Sequence, residues 1–109
     1  MAETPTRPTA TSLPHVGNDR TRVTEWRFAP GAETGFHIHG YDYVIVPVTR
    51  GRMRLEMPDG TAAVAELEPG RSYFRPAGAS HNVVNEGGSE LIFVEVEFLE
   101  PAKAVEPRH

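Results

Sequence analysis

Turn-forming residues punctuate this chain so often that no segment between them is patterned for a helix, and this constrains the fold more than any other feature. Ten Gly and ten Pro are spread over 109 residues. Between them the apolar residues recur with the two-residue period of a strand, not the helical period. In "RVTEWRFA" Val23, Glu25 and Arg27 alternate with Thr24, Trp26 and Phe28. "FHIH" puts Phe36 and Ile38 on one face and His37 and His39 on the other. "RMRLEM" and "TAAVAEL" flank Pro58, Asp59 and Gly60, a hairpin signal. "EPG" at 68–70 and "EGG" at 86–88 mark two further turns, and "YVIVPV" carries Pro47, which in a strand implies an edge or a bulge. In "ELIFVEVEFL", Glu95 and Glu97 alternate with Val94, Val96 and Phe98, as on a half-buried strand. Short strands with turns between them predict an all-β, antiparallel sandwich or barrel.

The ends read differently. Residues 1–19 are rich in Thr, Pro and Ala without periodicity, and are expected to form an extended, flexible N-terminal arm that packs on a neighbour. The barrel is expected over 20–100 and a tail over 101–109, where Pro101 and Pro107 oppose a long helix. A chain this short buries one modest core, so a homodimer is expected.

Charge and composition exclude several functions. The formal net charge is −4 and no basic run occurs, so the electrostatic footprint of a nucleic-acid binder is absent. No apolar run approaches the roughly 20 residues that span a bilayer, and "MAETPTRPTATSLPHVG" has no apolar leader core. With no Cys, disulfides, thiolate metal sites and a cysteine nucleophile are ruled out. A cytoplasmic protein is the expectation, and any metal must be held by nitrogen and oxygen.

The histidines carry the chemistry. In a strand, His37 and His39 project from one face with Cβ atoms roughly 6–7 Å apart. Imidazoles so placed can converge on one ion at about 2.0–2.2 Å from each nitrogen. Surface strands also produce H-x-H by chance, so the pair is a weak signal alone. Further on, "GRSYFRPAGASHNVVN" sets Gly70, Pro76, Gly78, His81 and Asn85 at fixed intervals. His15 and His109 lie in the arm and at the last position, and read as surface residues.

Together these stretches resemble the cupin family (small single-domain, cupin 2 type, RmlC-like). Its first motif reads G-x5-H-x-H-x3–4-E-x6-G and its second G-x5-P-x-G-x2-H-x3-N. Every defined position of the second is matched here, from Gly70 to Asn85, and Gly31, His37, His39 and Gly51 follow the first. The resemblance implies a double-stranded β-helix, or jelly-roll barrel, usually dimeric. It also implies a divalent metal cofactor (Fe, Ni, Zn, Mn or Cu) held by His37, His39 and His81.

The chain leaves the family pattern at the glutamate. "GYDYV" offers Tyr43 and Val44 where the motif has Glu, with Asp42 beside them. Three readings stay open. Asp42 replaces Glu as a fourth ligand, if the parity of Val44, Val46 and Val48 faces inward. Alternatively the site keeps three nitrogens and open positions, as in some cupin dioxygenases. Or Tyr43 points inward as a proton donor or weak ligand, which is compatible with the open site. Arg27, Arg54, Arg71 and Arg75 are candidates for an acidic substrate, with Arg75 first because it precedes Pro76. Phe36, Trp26, Phe74, Phe93 and Phe98 read as core. The expected function is a metal-dependent enzyme on a small polar molecule, either dioxygenase-like or a Lewis-acid isomerase or cyclase. The rival is a non-catalytic module binding a small molecule or a metal.

Overall fold

The computed structural model describes residues 7–99, and within them the only regular elements are strands. There are nine: β1 (Thr11–Gly17), β2 (Thr21–Phe28), β3 (His37–Ile38), β4 (Asp42–Pro47), β5 (Gly51–Glu56), β6 (Ala62–Leu67), β7 (Tyr73–Arg75), β8 (Ser80–Asn85) and β9 (Leu91–Phe98). They form a five-stranded sheet ordered β1-β2-β9-β4-β7 and a four-stranded sheet ordered β3-β8-β5-β6, paired antiparallel. The fold is the all-β, antiparallel double-stranded β-helix expected from the alternation.

The core lies between the two sheets. Phe28, Leu91, Phe93 and Ile45 come from the larger sheet, and Met53 and Leu55 from the smaller. Phe28 is wholly buried and its ring centroid lies 5.4 Å from that of Phe93. Truncation of such a side chain to Ala typically costs about 3–5 kcal/mol. At Gly51 an added Cβ would lie 2.7 Å from Leu91 Cδ1, so any larger residue here must displace the tip of a buried leucine.

The residue that ends the second motif is structural. Asn85, 2% exposed, donates from Nδ2 to the carbonyls of Phe28 and Ser89 at 3.1 and 2.8 Å. Its Oδ1 accepts from the Gly87 N–H at 2.9 Å. One buried amide thus ties β2 to the turn before β9 and satisfies itself in doing so.

Several expectations are corrected. Residues 11–17 of the predicted arm are a strand, β1, paired with β2 through one register shift between Pro14 and Val16. Residues 1–6 of that arm, residue 100 of the barrel and the 101–109 tail with His109 lie outside the described residues. Pro47 introduces no bulge: Asp42–Pro47 pairs with β9 in unbroken register, and the proline ends β4. Phe36, Phe74 and Phe98 are 61%, 57% and 40% exposed, so only Trp26 and Phe93 of the five predicted core aromatics pack inside. Strand parity is the reason. Phe36 and Ile38 occupy the face opposite His37 and His39, and that face looks outward.

Candidate metal centre

Two short pieces of chain bring the histidines together. His37 on β3 pairs directly with His81 on β8. His39, just beyond β3, donates its backbone N–H to the Ala79 carbonyl at 2.8 Å, and its own carbonyl accepts from the Gly78 N–H at 2.7 Å. Those two bonds need the chain to turn sharply at Gly78, which it does with φ at +99°. The Pro76–Gly78 turn of the second motif is therefore the clamp that sets His39 opposite His81.

The three rings present their Nε2 atoms to one another, at 3.0 Å for His37 to His39 and 3.1 Å for His39 to His81. On the far side of its ring, His37 Nδ1 lies 2.9 Å from the Gly35 carbonyl, which can only accept, so Nδ1 donates there. That fixes the tautomer whose Nε2 lone pair faces the cluster. His39 and His81 are both buried, and their pKa values fall from 6.5 to about 4. Burial is the main cause, followed for both by the neighbouring His37. Both rings are thus neutral at pH 7, the form that ligates a metal. Nitrogens at this spacing suit bonds of about 2.1 Å meeting at roughly a right angle, so the donor set fits a divalent cation. His37, His39 and His81 could hold a metal.

The larger sheet supplies the opposing wall in ordered rungs. Arg22 of β2 pairs with Glu97 of β9, Glu97 with Tyr43 of β4, and Tyr43 with Arg75 of β7. The next rung runs Thr24, Glu95, Ile45, Tyr73 across the same four strands. All eight side chains, with the three histidines, line one cavity of about 440 Å³, within the usual range for a small-molecule site.

Tyr43 is 2% exposed and its ring stacks on His39, centroids 4.0 Å apart and 20° from parallel. Burial pushes its hydroxyl up to about 12, with Glu95 adding to the shift, so it stays protonated. The interior parity of β4 is thus Tyr43 and Ile45, which corrects the reading of Asp42 as a fourth ligand. Asp42 is exposed on the outer face, and its carboxylate accepts from the Ala77 N–H at 2.8 Å, bracing the Pro76–Gly78 turn from outside. Arg75 stands at the exposed edge of the cavity, its guanidinium 5.7 Å from the Tyr73 ring centroid, with no carboxylate partner among the described residues. Arg27 and Arg54 are instead engaged with glutamates, and Arg71 does not line the cavity.

The carboxylates that reach this site come from β9, which the alternation of Glu95 and Glu97 with Val94, Val96 and Phe98 marked only as a half-buried strand. Glu95 and Glu97 are 9% and 8% exposed, and each sets an oxygen within 4.8 Å of a His39 ring nitrogen. Glu97 accepts from Arg22 Nε at 2.7 Å and from its terminal nitrogen at 3.0 Å, a bidentate pair. Glu95 has no such cation. Burial raises its pKa to about 7, as does Glu97, while the nearby Trp26 indole and Arg22 oppose the shift. A signal was there to be read: Glu95 and Glu97 share the parity of Leu91 and Phe93, not that of Val94 and Val96.

The fold and the histidine cluster place the chain in a class. The Cupin domain family profile matches residues 24–97, and the chain belongs to this family. It is similar to the Beta-alanine degradation protein BauB of Pseudomonas aeruginosa, with 54% identity over 91 residues, covering 84% of this chain and 95% of that one. Among solved structures it is similar to a cupin domain from Bordetella pertussis Tohama I, at 47% identity and a TM-score of 0.83, covering 87% of this chain and 98% of that one. It is also similar to the polyketide cyclase RemF from Streptomyces resistomycificus, at 27% identity and a TM-score of 0.68, covering 91% and 71%.

Proposed function

We propose that this cupin is a metal-dependent enzyme acting on a small carboxylic acid of the kind met in β-alanine breakdown. The observation that carries the reading is the convergence of three imidazole nitrogens on one side of a cavity of about 440 Å³. His37, His39 and His81 would hold one divalent cation (Fe, Ni, Zn, Mn or Cu), and its positions not taken by histidine stay open to substrate. Such a cation supplies Lewis acidity toward a substrate oxygen.

The chain's own groups do the rest. Arg75, without an acid partner, binds the substrate carboxylate at the cavity edge. Tyr43, protonated and fixed by its stack on His39, donates a hydrogen bond or a proton to a substrate oxygen beside the histidines. Ile45, Met53, Leu55 and Phe93 wall the site and keep bulk water from it. Non-redox chemistry of the isomerase or cyclase type is favoured over the dioxygenase type by this protonated Tyr43, and the likeness to RemF supports it. Kinetics with the Zn(II)-loaded protein test this choice: turnover under nitrogen supports it, and turnover only with Fe(II) and oxygen consumption contradicts it.

A homodimer remains part of the proposal, supported by the exposed apolar residues Phe36, Ile38 and Phe74. Light scattering at the mass of a single chain would remove it.

A further inference from the structure

Two carboxylates sit side by side on β9 inside the cavity, and only one has a counter-ion. Glu97 is held by both arms of the Arg22 fork. Glu95 is more than nine-tenths buried, yet no cation among the described residues pairs with it. Its partners across the sheet, Thr24 and Ile45, are a hydroxyl and an alkyl group, and neither can neutralise it. Two residues along β2, the Trp26 indole is near enough to favour the Glu95 carboxylate, but its buried N–H closes no hydrogen bond. Buried carboxylates are nearly always paired with a cation, so this acid, approached only by an indole N–H, marks where a ligand's cationic group belongs. Two strand spacings across and one rung along, about 12 Å at the backbone, stands Arg75, a cation of the same cavity with no acid partner among the described residues.

We propose that Glu95 is the cation-accepting end of this cavity, so that the ligand is a short amino acid whose ammonium group pairs with Glu95 while its carboxylate reaches Arg75. The proposal rests on the reading of Arg75 as the carboxylate anchor and narrows it from carboxylic acids in general to those that also carry an amine. Glu97 cannot take this part without giving up Arg22. An acid and a base at opposite ends of one cavity select against simple carboxylates, which would leave Glu95 buried and unpaired.

β-Alanine and propionate differ only in the amine and make the probe pair. Calorimetric titration of the Zn(II)-loaded protein should show β-alanine binding about tenfold or more tighter than propionate. Glu95→Gln should erase that preference, leave propionate affinity unchanged, and leave Zn(II) affinity unchanged. The wild-type comparison needs no variant, and a thermal melt confirms that Glu95→Gln is folded. Equal affinities in the wild type, or binding of neither compound, overturn the proposal. A large loss of Zn(II) affinity in Glu95→Gln also overturns it, by making Glu95 a metal ligand. The underlying reading fails separately, if Arg75→Gln leaves the binding of both compounds unchanged.

Discussion

The two walls of the cavity both carry buried ionisable groups and are chemically opposite. The β3–β8 wall holds three converging imidazoles, and burial with the neighbouring His37 ring discharges His39 and His81, so that these two present lone pairs. The β9 wall holds two carboxylates, one neutralised by Arg22 and one without a cation. The difference teaches that burial alone does not decide what a side chain does. It makes His39 and His81 better ligands by discharging them, and makes Glu95 a group in search of a proton or a cation.

The sharpest way to break this comparison is to exchange the walls' roles by mutation. His81→Ala removes one of three converging nitrogens and should lower Zn(II) affinity by about 100-fold or more. Glu97→Gln should change it about threefold at most, since that carboxylate is engaged by Arg22. Competition with a chromophoric chelator reads both. A larger effect at Glu97 than at His81 would move the metal to the β9 wall.

Stability reverses the order. Arg22→Ala leaves Glu97 buried without its bidentate partner, and the loss is expected at about 2 kcal/mol, moderated because Arg22 is half exposed. His81→Ala in the metal-free protein removes no paired charge and should cost less than that. Urea unfolding of the two variants makes the comparison.

Acidity separates the walls more finely. In the metal-free fold, His39 and His81 titrate near 4 against 6.5 in the unfolded chain. The unfolded chain therefore binds more protons between those values, and stability rises with pH across that window. Glu95 does the reverse: its folded value near 7 exceeds the ordinary 4.5, so the native state binds more protons and stability falls as pH rises between them. The slopes oppose each other. Glu95→Gln should therefore melt with a steeper upward dependence on pH than the wild type from about pH 5 to 6.5. Parallel melting curves would show that Glu95 is not a buried carboxyl.

The smallest expected effect is outside both walls. Asp42→Ala should cost about 0.5–1 kcal/mol through the lost bond to the Ala77 N–H and leave Zn(II) affinity unchanged. A collapse of metal affinity there would restore Asp42 as a ligand.

The histidine wall was legible in the sequence because its residues sit in strands and turns with fixed local spacing. His37 and His39 share a strand face, and Gly78 must turn the chain where it does to put His81 opposite. The β9 wall was not legible in the same way. Its acids become a site only through long-range registers, Arg22 with Glu97 and Glu97 with Tyr43, which no local pattern states. Asp42 misled for a related reason. Val44 and Val46 look like core, but the inward face of β4 belongs to Tyr43 and Ile45, and a one-residue difference in parity moves every side chain to the other face. Glu97 lies opposite Tyr43, the position where the motif's glutamate is missing, and this is visible only once β4 and β9 are paired.

Everything proposed for this cavity depends on the three histidines holding a cation together. Elemental analysis of protein purified without added metal, beside a His37→Ala, His39→Ala double variant, tests that most directly. About one cation per chain in the wild type and almost none in the variant is the expected result. Less than about 0.2 per chain in the wild type, or equal contents in both proteins, would contradict it.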